Sequence, residues 1–383
     1  MSSSVSVEEP AGQSAPETAW TFHKINLKLH LWLGLASAVF LLILGVTGAI
    51  IAFEVEAEHW VNPGLWYVKP TGQTLPEAQL IEGVEHRFTP GKVKMVVLPR
   101  SANLSQVMLV SDGPGAAQGR NGVQVFVNPY DGSILGSRTG PSRTQRVFGA
   151  IHQFHLRIAM GDPGKVIVSI AGLIMVFEVI FGIVLWFRLK RATIKLRGGS
   201  WFRICFDLHN AIGIYAALLL LLISFTGVIV GFDFVEPVIF KLTRSEPLLQ
   251  RRPAQSEVSA GGSPIGVDQA IAAARQAMPD ATVATIQPPS TPKGAFYIGM
   301  RVPEETSEAV HSSVAVDQFS GKVLRVQNFM TESLGYRVIR FNRSLHTGDV
   351  FGFWGHVITS LISLVLVVMV ITGVVIWWKK LAV

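Results

Sequence analysis

Charge is scarce in this chain. Only 15% of its 383 residues are Asp, Glu, Lys or Arg, whereas 49% are hydrophobic; soluble proteins carry about 25% charged residues. The deficit excludes an ordinary soluble globule and points to a protein embedded in lipid. Cysteine is scarcer still. Cys205 is the only one, which excludes disulfides and any Cys-x-x-Cys-His motif. Neither a Gly-x-Gly-x-x-Gly turn nor a P-loop is present, so no nucleotide-binding domain is expected.

What is present is a set of four apolar runs, 29–53, 164–187, 209–232 and 354–378. Each exceeds the roughly 20 residues that cross a hydrocarbon core of about 30 Å. The first is too long for a signal-peptide h-region, and Glu54, Glu56 and Glu58 follow it instead of a small-residue cleavage site. Basic residues set the expected orientation. Arg188, Lys190, Arg191, Lys195, Arg197 and Arg203 crowd the segment between the second and third runs, Lys24 and Lys28 precede the first, and Lys379 and Lys380 follow the last. The positive-inside rule puts these in the cytoplasm. The net charge of +7 is then a topology signal, and no nucleic-acid partner is expected. In a bacterium this is an inner-membrane protein with both termini cytoplasmic and two long polar segments in the periplasm.

The chain reads as one unit written twice. His30, Gly34, Thr47, Gly48 and Phe53 align with His209, Gly213, Thr226, Gly227 and Phe232, and Gly182 and Trp186 align with Gly373 and Trp377. The outer segments "VFVNPYDGSILG" from Val125 and "VAVDQFSGKVLR" from Val314 each read as strand, Gly turn, strand. "VDQAIAAARQAM" from Val267 has helical spacing, so each outer domain is expected to be a helix on an antiparallel sheet. The breakers "GDPG" and "TGDVFG" end two short interfacial helices. The expected organisation is a tail (1–28), a first span (29–53), an outer domain (54–140), an interfacial helix (141–163), a second span (164–187) and a basic loop (188–208). A third span (209–232), a second outer domain (233–332), a second interfacial helix (333–353), a fourth span (354–378) and a short C-terminus (379–383) complete it. The expected fold class is an α-helical integral membrane protein, four transmembrane helices in a parallel two-fold repeat with two α+β outer domains.

Ten histidines are present. His86 and His311 read as surface residues, His23 lies in the tail, and His59 beside Trp60 reads as an interfacial anchor. His30 and His209 occupy one repeat position near the cytoplasmic face; His155 and His346 occupy another near the periplasmic face. Ionisable groups at membrane depth are functional candidates, against headgroup contact as the plain alternative. Imidazole suits zinc, copper, nickel and iron, but tetrahedral zinc needs four convergent ligands. Two layers of two histidines suit two low-spin haems, each with two axial imidazoles. Without Cys-x-x-Cys-His the haems are b-type. Gly34 and Gly213 would leave room for a macrocycle or serve close helix packing.

His152, one turn from His155, is an alternate ligand, although its repeat partner is Arg343. His356 is another alternate, or a proton carrier or substrate contact. Arg143, Arg146, Arg157, Arg337, Arg340 and Arg343 crowd the interfacial helices. Arg146, Arg340 and Arg343 are candidates for haem propionates or an anionic substrate, or for lipid headgroups. Trp60, Trp66, Phe351 and Trp354 are candidate chelate-lining or membrane-belt residues. Glu54, Glu56, Glu58 and Asp233 are candidates to bind released iron, or form a solvated boundary.

The Leu-His…Gly…Thr-Gly spans, the Leu-His-Thr-Gly segment at His346 and the two hairpins resemble the PepSY-associated transmembrane family over nearly the whole chain. That family includes iron-regulated inner-membrane proteins, and the likeness is nearest to its FoxB-type ferric-siderophore reductases. The resemblance implies two periplasmic PepSY-like domains, two haem b groups and electron flow from cytoplasm to periplasm. His30, His209 and His346, each after Leu, match its pattern, whereas His155 follows Phe154 and lacks the direct Thr-Gly. The expected activity is reduction of a periplasmic ferric siderophore, hydroxamate chelates being one suitable class, with release of iron(II). The donor is a separate protein, free flavin or nicotinamide, or a membrane quinol. A PepSY-based peptidase-binding or inhibitory protein without redox activity is the alternative. A chelate permease is disfavoured because the spans read as free of acids.

Overall fold

A computed structural model describes residues 17–111, 122–190, 192–194, 200–246, 253–257, 263–305 and 311–381. Most of the tail, and Arg191, Lys195 and Arg197 of the basic loop, lie outside the described residues. The first half runs α1 (Glu17–Ile51), α2 (Glu54–Val61), α3 (Pro63–Trp66), α4 (Glu77–Arg87), β1 (Val93–Val97), β2 (Gln106–Val110), β3 (Val123–Val127), β4 (Ile134–Thr139), α5 (Arg143–Arg157) and α6 (Gly161–Leu189). The second runs α7 (Trp201–Gly231), α8 (Val235–Leu242), α9 (Val267–Ala277), β5 (Thr282–Gln287), β6 (Ala295–Arg301), β7 (Ser312–Asp317), β8 (Val323–Gln327), α10 (Leu334–Thr347) and α11 (Gly352–Leu381). The order of elements thus occurs nearly the same way twice.

Four helices are long and apolar enough to cross a membrane: Phe22–Ile51, Gly161–Leu189, Trp201–Gly231 and Asp349–Lys379. The helices α1 and α7 begin well before the apolar runs 29–53 and 209–232, because hydropathy marks the lipid-facing stretch and not where the backbone hydrogen bonds start. The four pack as a ring in which α1 and α7 each touch both α6 and α11. Close approach is built on small residues. A Cβ on Gly45 would lie 2.9 Å from the Ser363 carbonyl oxygen, and one on Gly231 would lie 2.6 Å from Ser169 Oγ. Leu41, Met175, Val179, Leu220, Ile362 and Leu366 form a buried apolar layer midway along the ring.

The two short helices expected before the second and fourth spans are α5 and α10. Ser142 and Gln145 form a capping box that starts α5. Sharp bends join α5 to α6 and α10 to α11, as the breakers predict. Ile158, Ala159, Gly161, Gly348 and Gly352 all take positive φ there. Gly164 and Gly355 seal the bends: a Cβ on either would sit 1.8 Å from the carbonyl oxygen of Arg157 or Gly348, so only glycine fits.

The strands depart from expectation in one respect. Each domain does place a helix on four antiparallel strands, with hairpins where the two motifs stand. The two sheets, however, are one, in the order β4-β3-β2-β1-β5-β6-β7-β8. Strand β1 pairs with β5 through Val96–Ile286 and Val97–Thr285, which removes two open edges at once. Asp268 of α9 accepts hydrogen bonds from the backbone N–H groups of Glu77 and Ala78 at 3.1 and 3.4 Å, tying the start of α4 to the other domain. Val96, Met108, Val125, Ile286, Ile298 and Val314 form the core under α4 and α9. The alternate positions Thr285, Gln287, Tyr297 and Ser313 line a cleft with Tyr336 and Arg340 of α10.

Candidate functional site

The symmetric histidines fall into two layers at opposite ends of the helix ring. At the basic-loop end, His30 on α1 and His209 on α7 face each other, with ring centroids 6.2 Å apart and planes at 68°. At the sheet end, His155 on α5 reaches α1, and His346 on α10 reaches α7.

One device holds three of the four rings. Thr47 Oγ1 lies 2.9 Å from His155 Nδ1, Thr226 Oγ1 lies 3.0 Å from His346 Nδ1, and Thr372 Oγ1 lies 2.9 Å from His209 Nδ1. Each hydroxyl also donates its single proton to the carbonyl one turn back, on Ile43, Leu222 or Val368. The oxygen can therefore only accept from the imidazole. Nδ1 must carry the ring proton, which leaves the Nε2 lone pair for a metal ion. His346 Nδ1 also lies 3.1 Å from the Ile223 carbonyl oxygen, which fixes the same tautomer. Outside the spans, burial holds the imidazoles of His155 and His346 well below the ordinary histidine value. Both rings are thus neutral, the form that ligates metal. His346 adds to the depression at His155.

Every ring also lies against a glycine. Added Cβ atoms on Gly48, Gly227, Gly182 and Gly373 would meet Cε1 of His155, His346, His30 and His209 at 3.2, 3.0, 3.5 and 3.4 Å. The Thr-Gly pair thus works as a unit: the threonine orients the ring, and the glycine next to it makes room. Gly34 and Gly213, read as room for a macrocycle or as close helix packing, face the side chains of Glu178 and Met369 on neighbouring helices, the packing role of the two.

The donor set fits haem. His30 and His209 face each other with ring centroids 6.2 Å apart and could supply one imidazole each to the same group. Among the described residues, no three His, Cys, Asp or Glu converge as a non-haem metal site would require.

Other candidates fall elsewhere. His152 turns to the surface, where its Nδ1 lies 3.3 Å from Glu54. His356 is 4% exposed, with Nδ1 at 2.7 Å from Glu56 and Nε2 at 3.0 Å from Asp349. Both of its nitrogens are taken, so it is not an alternate ligand. Arg146 and Arg343 are exposed on α5 and α10, and Arg340 stacks on Tyr336 at 5.2 Å. His311, expected at the surface, is instead packed against Phe329 and paired with Glu305. His59 packs on Trp66 with ring centroids 4.3 Å apart and planes tilted by 38°, and Trp66 also packs on Phe126, so Trp66 is half-buried against the first domain. Trp60, Phe351 and Trp354 are exposed. The four outer carboxylates do not share a cation site. Glu54 meets His152, Glu56 meets His356, Asp233 meets Lys165, and Glu58 takes Arg138 and Ser142.

Reading the sequence missed two features. The threonines were visible as three Thr-Gly pairs inside spans, but their role appears only once α5 and α10 are docked. Glu178 contradicts the expectation of acid-free spans: it is 9% exposed, midway along α6, with Oε2 2.9 Å from His30 Nδ1. Its signal was a lone acid in "MVFEVIFG".

Among protein families, the one described as the PepSY-associated TM region matches residues 27–380. No curated protein matches the chain. The chain belongs to the PepSY-associated transmembrane family.

Proposed function

We propose that this PepSY-associated transmembrane protein is a di-haem reductase of the bacterial inner membrane, acting on a periplasmic ferric siderophore. The observation that carries the proposal is the pair of two-histidine layers: a threonine holds Nδ1 and leaves Nε2 for a metal at His155, His209 and His346, His30 has the Glu178 carboxylate beside Nδ1, and a glycine lies against each ring. His30 and His209 would hold one haem b, and His155 and His346 the other, in a parallel two-fold repeat with the sheet in the periplasm. Bound there, the haems supply one-electron transfer from a cytoplasmic or membrane donor to the outer face.

The chain's own residues account for the rest. The apolar layer of Leu41, Met175, Leu220 and Leu366 separates the two sites and keeps water from the space between them. The sheet overhangs α10, which carries His346. The cleft between them, about 340 Å³, is lined by Thr285, Gln287, Tyr297, Gln327, Tyr336 and Arg340. These donors suit an oxygen-rich ferric chelate, and Arg340 stands six residues, or about 9 Å of helix, from His346. Hard oxygen ligands such as hydroxamates hold iron(II) less strongly than iron(III), so one-electron reduction releases the metal. A peptidase-binding anchor would leave the two paired histidine layers, three of their rings oriented by threonines, without a purpose.

The test is stoichiometric. Purified protein is reduced with dithionite, freed of reductant and mixed with a ferric hydroxamate and an iron(II)-capturing dye. One iron(II) should appear for each reducing equivalent lost from the protein. Stable reduced protein with no iron(II) formed would reject the reductase reading.

A further inference from the structure

Glu178 breaks the correspondence between the halves of the chain. At the other three histidines, Nδ1 meets a threonine hydroxyl, a neutral acceptor. At His30, the residue equivalent to Thr372 is Phe181, and the group beside the ring is the Glu178 carboxylate. Oε2 lies 2.9 Å from Nδ1, at ion-pair distance but off the line of a hydrogen bond. The residue equivalent to Glu178 is Met369. Both side chains occupy the same place: a Cβ on Gly34 would meet Glu178 Oε2 at 3.0 Å, and one on Gly213 would meet Met369 Cε at 2.9 Å. One half therefore carries a carboxylate where the other carries a thioether of similar reach.

That carboxylate is costly. Oε1 is buried with no hydrogen-bond partner, and an uncompensated charge at such depth is strongly unfavourable. A cationic neighbour would offset the cost. On the di-haem reading, from which this inference proceeds, an oxidised iron centre held by His30 is one unit more positive than its reduced form. A fixed negative charge next to its ligand favours the oxidised form and makes the ligand more basic.

We propose that Glu178 is a positioning residue that acts through His30 to lower the reduction potential of the centre at the basic-loop end. The two layers then differ in potential, and the outer layer, whose ligands meet only neutral acceptors, is the higher. The fall runs from the donor side to the sheet side.

The experiment is a spectroscopic redox titration of the full-length protein in detergent. Wild type should show two midpoints, the lower belonging to the layer that His209→Ala removes. Glu178→Gln should raise that lower midpoint by about 59 mV or more, a tenfold change in a one-electron couple, and leave the upper in place. Glu178→Asp, which keeps the charge, should restore most of the wild-type value. Met369→Glu, adding the acid to the equivalent place beside His209, should lower the same midpoint further, and it provides the answer if Glu178→Gln does not fold. Two haems whose potentials ignore these substitutions, or an upper midpoint that moves instead, would overturn the role of Glu178 alone. Protein without haem would overturn the di-haem reading and this inference with it.

Discussion

The two histidine layers solve one problem with different elements. At the basic-loop end both histidines belong to long spanning helices, and their partners, Glu178 and Thr372, come from the neighbouring spans α6 and α11. At the sheet end both come from short amphipathic helices, and the spans supply only the receiving Thr-Gly pairs. The sheet-end layer is the more regular, Thr-Gly against Thr-Gly, whereas the other pairs a carboxylate with a hydroxyl. The sheet-end ligands therefore depend on how α5 and α10 dock, and the others on how the four spans pack. Damage to either arrangement should remove one layer and spare the other.

The largest break is expected from the ligands. His346→Ala should abolish iron(II) release from a ferric chelate and remove one haem, while the remaining haem still accepts electrons. Chelate reduction and haem content measured on the same sample check this. Filling the space beside a ring should come next. Gly227→Leu would push a side chain into His346 and should empty the sheet-end layer only, whereas Gly373→Leu should empty the basic-loop layer only. Absorption spectra of the two variants distinguish the layers.

Smaller effects are expected from the orienting groups. Thr372→Val keeps the shape but removes the acceptor for His209 Nδ1, leaving a buried ring N–H unpaired at a cost of about 1–3 kcal/mol. Haem affinity should fall about tenfold or more, measured by transfer to an apo-haem acceptor, with the other layer unchanged.

The smallest concerns docking of α5. Glu58 is 5% exposed and accepts from Arg138 at 2.5 Å and from Ser142 at 2.6 Å. Burial pushes its carboxyl up, but those two partners outweigh burial and hold it below the ordinary value. A depressed carboxyl contributes stability that is complete above the unfolded-state carboxylate range and is lost as pH falls through the folded value. Wild type should therefore lose Tm on acidification faster than Glu58→Gln. At neutral pH the variant should be destabilised by about 1–3 kcal/mol. Thermal melts across pH 3–7 check both.

The difference between the layers also shows where sequence reading succeeds. Runs of 20 or more apolar residues are set by bilayer thickness and need no tertiary knowledge, so the four spans were legible. The bends were legible because "GDPG" and "TGDVFG" carry glycines that only a tight turn requires. The joining of β1 to β5 was not, because alternation in a strand reveals its faces but not its edge partner. Nor was the packing of Gly48 and Gly227 against His155 and His346, which lie more than 100 positions away in the sequence. His155 stood out less than its repeat partner because Phe154 replaces the leucine, yet the fold gives both the same Thr-Gly seat. Glu178 is legible as a lone acid inside an apolar run, but nothing in the run shows that His30 lies beside it.

The most direct measurement is a pyridine haemochrome count on the purified wild type, His209→Ala and His155→Ala. Two b-type haems per chain in the wild type, and one in each variant with distinct spectra, is the predicted result. No haem in wild type grown with ample iron, or loss of both haems together in either folded variant, would contradict two independent histidine layers.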